Sequence, residues 1–307
     1  MGRKLFPGLL AALLLGACAQ EQETVAPAPE SASFDTLMAG ARLFDMWYDE
    51  SEAAFIPDDE ETPEIDGSGG PNGNGTLNGP DGWPIGNDGH DYRFKNLFGW
   101  DMRGDAGIYG REHQAKAWVL ATGPLSAAHT RIDRAEWIDR LSNGWAGLPA
   151  YGEVLTVSEI ASLVDFMLAV RDGQLPRPDD LYALNVDAPR GFILAAGGNS
   201  ERGHALYAEQ CADCHGADAT KIIFDDGEQS LGQHARYFGY AVAMITLAGE
   251  PGSEMQAQPW GDLSVAEQTQ NLLDLLAALC DRERYPRGAG SDPEVPDDDP
   301  RCREYLR

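Results

Sequence analysis

The stretch "YAEQCADCHGAD", residues 207–218, decides how the rest of the chain is read. It sets Cys211 and Cys214 three positions apart, with His215 immediately after. Just upstream, Gly203, Leu206 and Tyr207 form Gly-x-x-Leu-aromatic in a segment whose apolar periodicity predicts a helix. The same frame occurs earlier as Gly40, Leu43 and Phe44 in "MAGARLFDMWYDE". The earlier copy runs on to "RFKNLFGWDMRG", residues 93–104, which contains no cysteine. Aligned on the two motifs, Phe94 and Leu97 stand at the cysteine positions and Phe98 at the histidine. Gly99 and Asp101 then match Gly216 and Asp218. Both copies close alike. "LTVSEIASLVDFMLAV" and "LSVAEQTQNLLDLLAAL" each open on a capping-box pair, Thr156/Glu159 and Ser264/Glu267. Ile160, Leu163, Val164 and Met167, and Leu272, Leu275, Leu276 and Leu279, recur at helical spacing, as core-facing residues do.

Cys-x-x-Cys-His is the signature of covalent c-type haem attachment. Two thiols at this spacing add across the two haem vinyl groups, and the adjacent imidazole becomes the proximal iron ligand. A zinc knuckle would need further Cys or His at ligand spacing, which Cys280 and Cys302 do not supply. A thiol redox pair requires neither the histidine nor the preceding helix. The expected cofactor is therefore one covalent haem c on Cys211, Cys214 and His215.

With these motifs in place, residues 199–280 resemble a class I cytochrome c domain: helix, CxxCH, variable middle, Met-bearing loop, closing helix. The resemblance implies that Met255, in "LAGEPGSEMQAQPWGDLS", is the sixth iron ligand, although Met255-Gln256 replaces the family's Met-Pro. His234 is the alternative sixth ligand, His204 a weaker one, and Met244 reads as a helical core residue. Residues 32–172 resemble the same fold in degenerate, haemless form, with Leu148 or Gly147 where Met255 sits. Phe94, Leu97 and Phe98 would refill the vacated pocket, because an empty one is costly. The expected fold class is thus mostly α, with two cytochrome c-like helical domains in tandem. The first carries a long irregular insert, "DGSGGPNGNGTLNGPDGWPIGNDGHD" at 66–91, dense in turn formers and without EF-hand spacing. A proline-marked, non-helical linker is expected at 173–198 and an acidic tail at 281–307.

Arg3 and Lys4 precede an apolar run, Leu5 to Ala17, too short to span a bilayer and suited to a secretory signal over 1–17. "LGAC" at 15–18 resembles the lipobox of bacterial lipoproteins, which makes Cys18 a lipidated residue and 18–31 a Pro/Ala/Glu-rich tether. Ala19 after it implies outer-membrane sorting, facing the periplasm of a Gram-negative cell. In that oxidising compartment Cys280 and Cys302 are expected to pair as a disulfide. The formal charge of −27, from 50 acidic and 23 basic residues, excludes nucleic acid as a partner and suits steered docking on a basic one. The expected function is a membrane-anchored monohaem cytochrome carrying single electrons between redox partner proteins. A cytochrome subunit of a periplasmic dehydrogenase or peroxidase-type complex is the alternative. No catalytic residue is identified: there is no dinucleotide fingerprint, second CxxCH or zincin motif.

Overall fold

Helix boundaries fall where the caps put them. The computed structural model describes residues 32–60, 62–87, 92–104, 107–108, 132–145, 147–185, 191–224, 229–288 and 300–307. The expected signal segment, Cys18 and the tether lie outside these residues. In chain order the helices are α1 (Phe34–Glu50), α2 (Phe94–Phe98), α3 (Arg134–Asn143), α4 (Val157–Arg171), α5 (Pro178–Leu181), α6 (Ser200–Gln210), α7 (Ala212–His215), α8 (Leu231–Ala248) and α9 (Val265–Leu279). Among the described residues, three two-stranded antiparallel ribbons supply the sheet: β1 (Leu77–Asn78) with β2 (Pro84–Ile85), β3 (Tyr182–Leu184) with β4 (Phe192–Leu194), and β5 (Ile223–Phe224) with β6 (Gln229–Ser230). The protein is mostly helical. Both expected capping boxes are formed, Thr156 with Glu159 on α4 and Ser264 with Glu267 on α9. No helix among the described residues is long and apolar enough to cross a membrane.

Two glycines set the helix crossings. On α1, a Cβ at Gly40 would lie 2.1 Å from the Ser162 carbonyl oxygen of α4. On α6, a Cβ at Gly203 would lie 1.9 Å from the Asp274 carbonyl oxygen of α9. Only a residue without a side chain lets two backbones approach so closely. The crossing falls six residues past the Thr156 cap but ten past Ser264, so α9 enters one helical turn earlier than α4. α3 packs on α4, and α8 on α9 and α1.

The likeness extends to the backbone between the helices. α2 ends on Gly99 (φ 73°, ψ 150°) and α7 on Gly216 (φ 85°, ψ 159°). Three residues later stand Met102 (φ 52°) and Ala219 (φ 64°), both in the left-handed region that non-glycine residues seldom enter. Between them, Asp101 accepts from the Arg103 amide (3.3 Å) and Asp218 from the Thr220 amide (3.2 Å). The motif "GWD" and the segment "GAD" thus build one turn twice.

Residues 32–307 form one compact unit with a continuous core, and the intervening segments pack into it. The stretch 173–198, read from its prolines as non-helical, contains the helical turn α5 and the β3–β4 ribbon. Pro178 sits at the first helical position, where its missing N–H is not needed. The end of the chain returns to the core through the Cys280–Cys302 disulfide, whose Cα atoms are 5.8 Å apart. Tyr305 also accepts a hydrogen bond from the Gly198 amide (2.8 Å). In the 66–91 insert, Asp58 holds the Asp66 and Gly67 amides (3.0 and 3.1 Å), and Asn72 donates to Thr76 and Asn78.

Candidate functional site

Cys211 is the residue on which α6 ends and α7 begins. Its carbonyl accepts from the amides of Cys214 (3.2 Å) and His215 (2.9 Å), so one helical turn carries both thiols and the imidazole. Gly216 stops that turn, and the Tyr207 hydroxyl, from α6, caps it by donating to the Gly216 carbonyl (2.8 Å). Lys221 closes the far side: its amide donates to the His215 carbonyl (3.0 Å) and its ammonium to the Asp213 carbonyl (2.8 Å).

The two thiols are not bonded to each other. Cys211 is half-buried and Cys214 exposed. Burial, and then the neighbouring Cys214, push the Cys211 thiol up to about 11, so it remains protonated at neutral pH. His215 is 9% exposed. Burial, and secondarily the Lys221 ammonium, lower its pKa, which favours the neutral imidazole that a metal ligand must be. Its Nδ1 is buried without a hydrogen-bond partner in the structure. A buried polar atom in that condition costs free energy unless a further group engages the ring.

Of the two expected sixth ligands, His234 shares a file of rings with His215. The His215 and Phe224 centroids are 6.3 Å apart and nearly coplanar in tilt (25°), as are Phe224 and His234 at 5.0 Å. Phe238, at the kink in α8, continues the file 4.9 Å from His234. Met255 comes from the turn after α8 and is half-buried, its amide donating to Ser253 Oγ (3.0 Å) and its carbonyl accepting from the Glu250 amide (3.0 Å). Burial, and then Asp45 close by, raise the Glu250 carboxyl to about 7. His204 belongs elsewhere: it is buried against Tyr285 (Nδ1 to the hydroxyl, 3.2 Å) and Asp281 (3.7 Å). Met244 is a core residue, 1% exposed.

At the matching positions of the first half, Phe94, Leu97 and Phe98 are all buried. Phe94 packs 4.2 Å from the Tyr151 ring, and Phe98 meets Trp137 edge-on at 5.9 Å. Leu148 is buried with them. Asp101, unlike the exposed Asp218, is buried; desolvation raises it to about 6 despite the amides of Ile108 (2.9 Å) and Arg103.

Sequence reasoning missed Phe224, the ring between the two histidines. Its one sign was an aromatic in "KIIF", a segment with no period to interpret. Tyr285 was missed as well, because it follows the last periodic helix. Chemically, the second half presents two free thiols and a buried neutral imidazole on one turn, with the Phe224 ring beside the imidazole. That donor set fits a covalently attached haem: Cys211 and Cys214 would hold it and His215 would ligate the iron, giving the orphaned ring a role. At the matching positions the first half carries Phe94, Leu97 and Phe98, and so neither thiol nor imidazole. Comparison of the chain with protein-family models, curated proteins and solved structures gave no match.

Proposed function

We propose that the chain is a lipid-anchored, extracytoplasmic c-type cytochrome with one haem, carrying single electrons between redox partner proteins. The observation that carries this reading is the single turn holding two unbonded thiols and a buried neutral imidazole. When bound, haem supplies the reversible one-electron chemistry of its iron. The protein's own part is to hold the group and keep its surroundings apolar. Cys211 and Cys214 would fix it in place, and the backbone of the turn that carries His215 is held by Tyr207 at the Gly216 carbonyl and by Lys221 at the His215 carbonyl. Phe224 places an apolar ring 6.3 Å from the His215 ring on that side.

Met255 is the sixth ligand in this reading, and its thioether favours a high potential suited to accepting electrons. Residues 32–172 are a degenerate copy of the same fold, with the haem volume occupied by Phe94, Leu97 and Phe98. Cys18 carries the lipid that holds the protein at the outer membrane, facing the periplasm. The charge of −27 supports a basic docking partner and speaks against nucleic acid.

The test is a spectroelectrochemical titration of the purified holoprotein. A single reversible one-electron wave is expected, with a far-red Met–iron band in the oxidised form. Met255→Ala abolishes that band and lowers the potential, while His234→Ala preserves it. Absence of the band in the unmodified holoprotein, with a potential that shifts in His234→Ala and not in Met255→Ala, makes His234 the ligand. Tight CO binding by the unmodified reduced protein would refute a six-coordinate carrier and favour an enzyme-type subunit.

A further inference from the structure

We infer that Arg42, in the half without cysteines, is a positioning residue for the turn that carries Met255. This rests on the His/Met reading above and assigns the first half a role in it. The last carbonyls of α8 have no partner within the helix. One of them, on Ala248, accepts a hydrogen bond from Arg42 Nη1 (3.1 Å), across more than two hundred residues of chain. A cation at a helix C-terminus also complements the helix dipole. The guanidinium is not free to swing, because its Nε is held by Glu50 at 2.7 Å and both side chains are half-buried.

The turn that starts one residue later is bonded within itself. Gly249 pairs with Gln256 as an antiparallel bridge, Glu250 donates to the Met255 carbonyl (3.0 Å), and Met255 donates to Ser253 (3.0 Å). It therefore moves as a piece, and Met255 moves with it. α1 touches that piece at both ends: Arg42 at its base, and Asp49 at its tip, where a Cβ on Gly252 would lie 3.2 Å from the Asp49 Cβ. α1 is itself fixed by the Gly40 crossing with α4. α1 kinks at Met46, between these two contacts, so the Arg42 end is the one tied to the Gly40 crossing and the first half backs the sixth ligand chiefly through Arg42.

The experiment uses the full-length holoprotein and imidazole as a probe that competes with Met255 for iron. Arg42→Met keeps the aliphatic stem and removes the donors. With haem content and melting temperature near wild type, it binds imidazole about tenfold more tightly, the weight of one charge-assisted hydrogen bond. Its far-red band weakens and its midpoint potential falls. Arg42→Lys recovers part of the loss. Glu50→Gln, which frees the guanidinium without removing it, gives a smaller change in the same direction and remains readable if Arg42→Met folds poorly. Arg134→Met, which breaks the exposed Arg134–Asp165 pair (2.6 Å) in the same half, leaves imidazole affinity unchanged. A wild-type band and imidazole affinity in both Arg42→Met and Glu50→Gln overturn the inference alone. No far-red band in the wild-type holoprotein overturns the His/Met reading, and the inference with it.

Discussion

Gly203→Ala is the sharpest perturbation of the fold that leaves every cofactor-facing residue untouched. The new Cβ would stand 1.9 Å from the Asp274 carbonyl oxygen and 2.8 Å from the Ala278 Cβ. A carbon and a carbonyl oxygen approach no closer than about 3.3 Å, so α6 and α9 must part by about 1 Å or more. A gap of that size forfeits roughly a quarter to a half of each dispersion contact along the crossing. It also stretches the bonds that reach the fully buried Asp274 carboxylate from α6 and its cap: Asn199 amide (2.7 Å) and Arg202 (2.9 Å). The expected cost is about 3 kcal/mol, the upper end for overpacking. That corresponds to a fall in Tm of roughly 6–12 °C. Gly40→Ala, 2.1 Å from the Ser162 carbonyl oxygen, lowers Tm by a similar amount. Gly239→Ala on α8 is the control. Its Cβ would find only Leu276 and Phe192, at 3.7 and 3.8 Å, so it should be neutral or stabilising by about 0.5–1 kcal/mol. Because the obstacle at Gly203 is backbone, Gly203→Ala with Ala278→Gly does not recover stability. Thermal unfolding of the five proteins decides the matter. A Gly203→Ala Tm within about 1 °C of wild type would refute the crossing geometry.

Two further outcomes follow from buried groups outside the site. Asp101 is held at about 6 against an ordinary 3.8, chiefly by burial, so the folded protein binds its proton more tightly than the unfolded chain does. Its contribution to stability is complete below about pH 4 and is lost as pH rises through about 6, a change of order 3 kcal/mol. Urea unfolding at several pH values should show the wild type losing ground to Asp101→Asn over that window, and a pH-independent difference would remove the assignment. Separately, Cys280→Ala with Cys302→Ala opens a loop of 22-residue separation and should cost about 3 kcal/mol. The measurable result is a lower Tm, insensitive to reductant, with faster proteolysis of the last residues; an unchanged Tm would show that the tail holds without its staple.

What could be read from the chain was whatever repeats or caps. The capping boxes at Thr156 and Ser264 located α4 and α9, and the Gly-x-x-Leu-aromatic frames located α1 and α6, because local chemistry alone fixes those elements. The alignment of "FKNLFGWD" on "CADCHGAD" anticipated the repeated turn, down to Gly99 and Gly216. It did not anticipate Met102 and Ala219 in left-handed backbone, since neither residue type signals that conformation. The reach of Arg42 to Ala248 was illegible for another reason. Nothing in either segment's sequence marks a contact that only the packing of one half on the other creates. Phe224 lies between periodic segments and Tyr285 after the last one, where burial is decided by tertiary neighbours and leaves no pattern. The same holds for the ribbon β3–β4, whose three-residue strands are too short for alternation to register.

The central claim is that one turn of the second half attaches haem and that its counterpart in the first half has been filled with side chains. The most direct measurement is the haem-to-protein ratio of the purified, exported chain by pyridine haemochrome, alongside Cys211→Ala and Cys214→Ala. One haem per chain is expected, with covalent attachment through both thioethers lost in the double variant. Two haems per chain, or a covalent haem that survives removal of both cysteines, would contradict it.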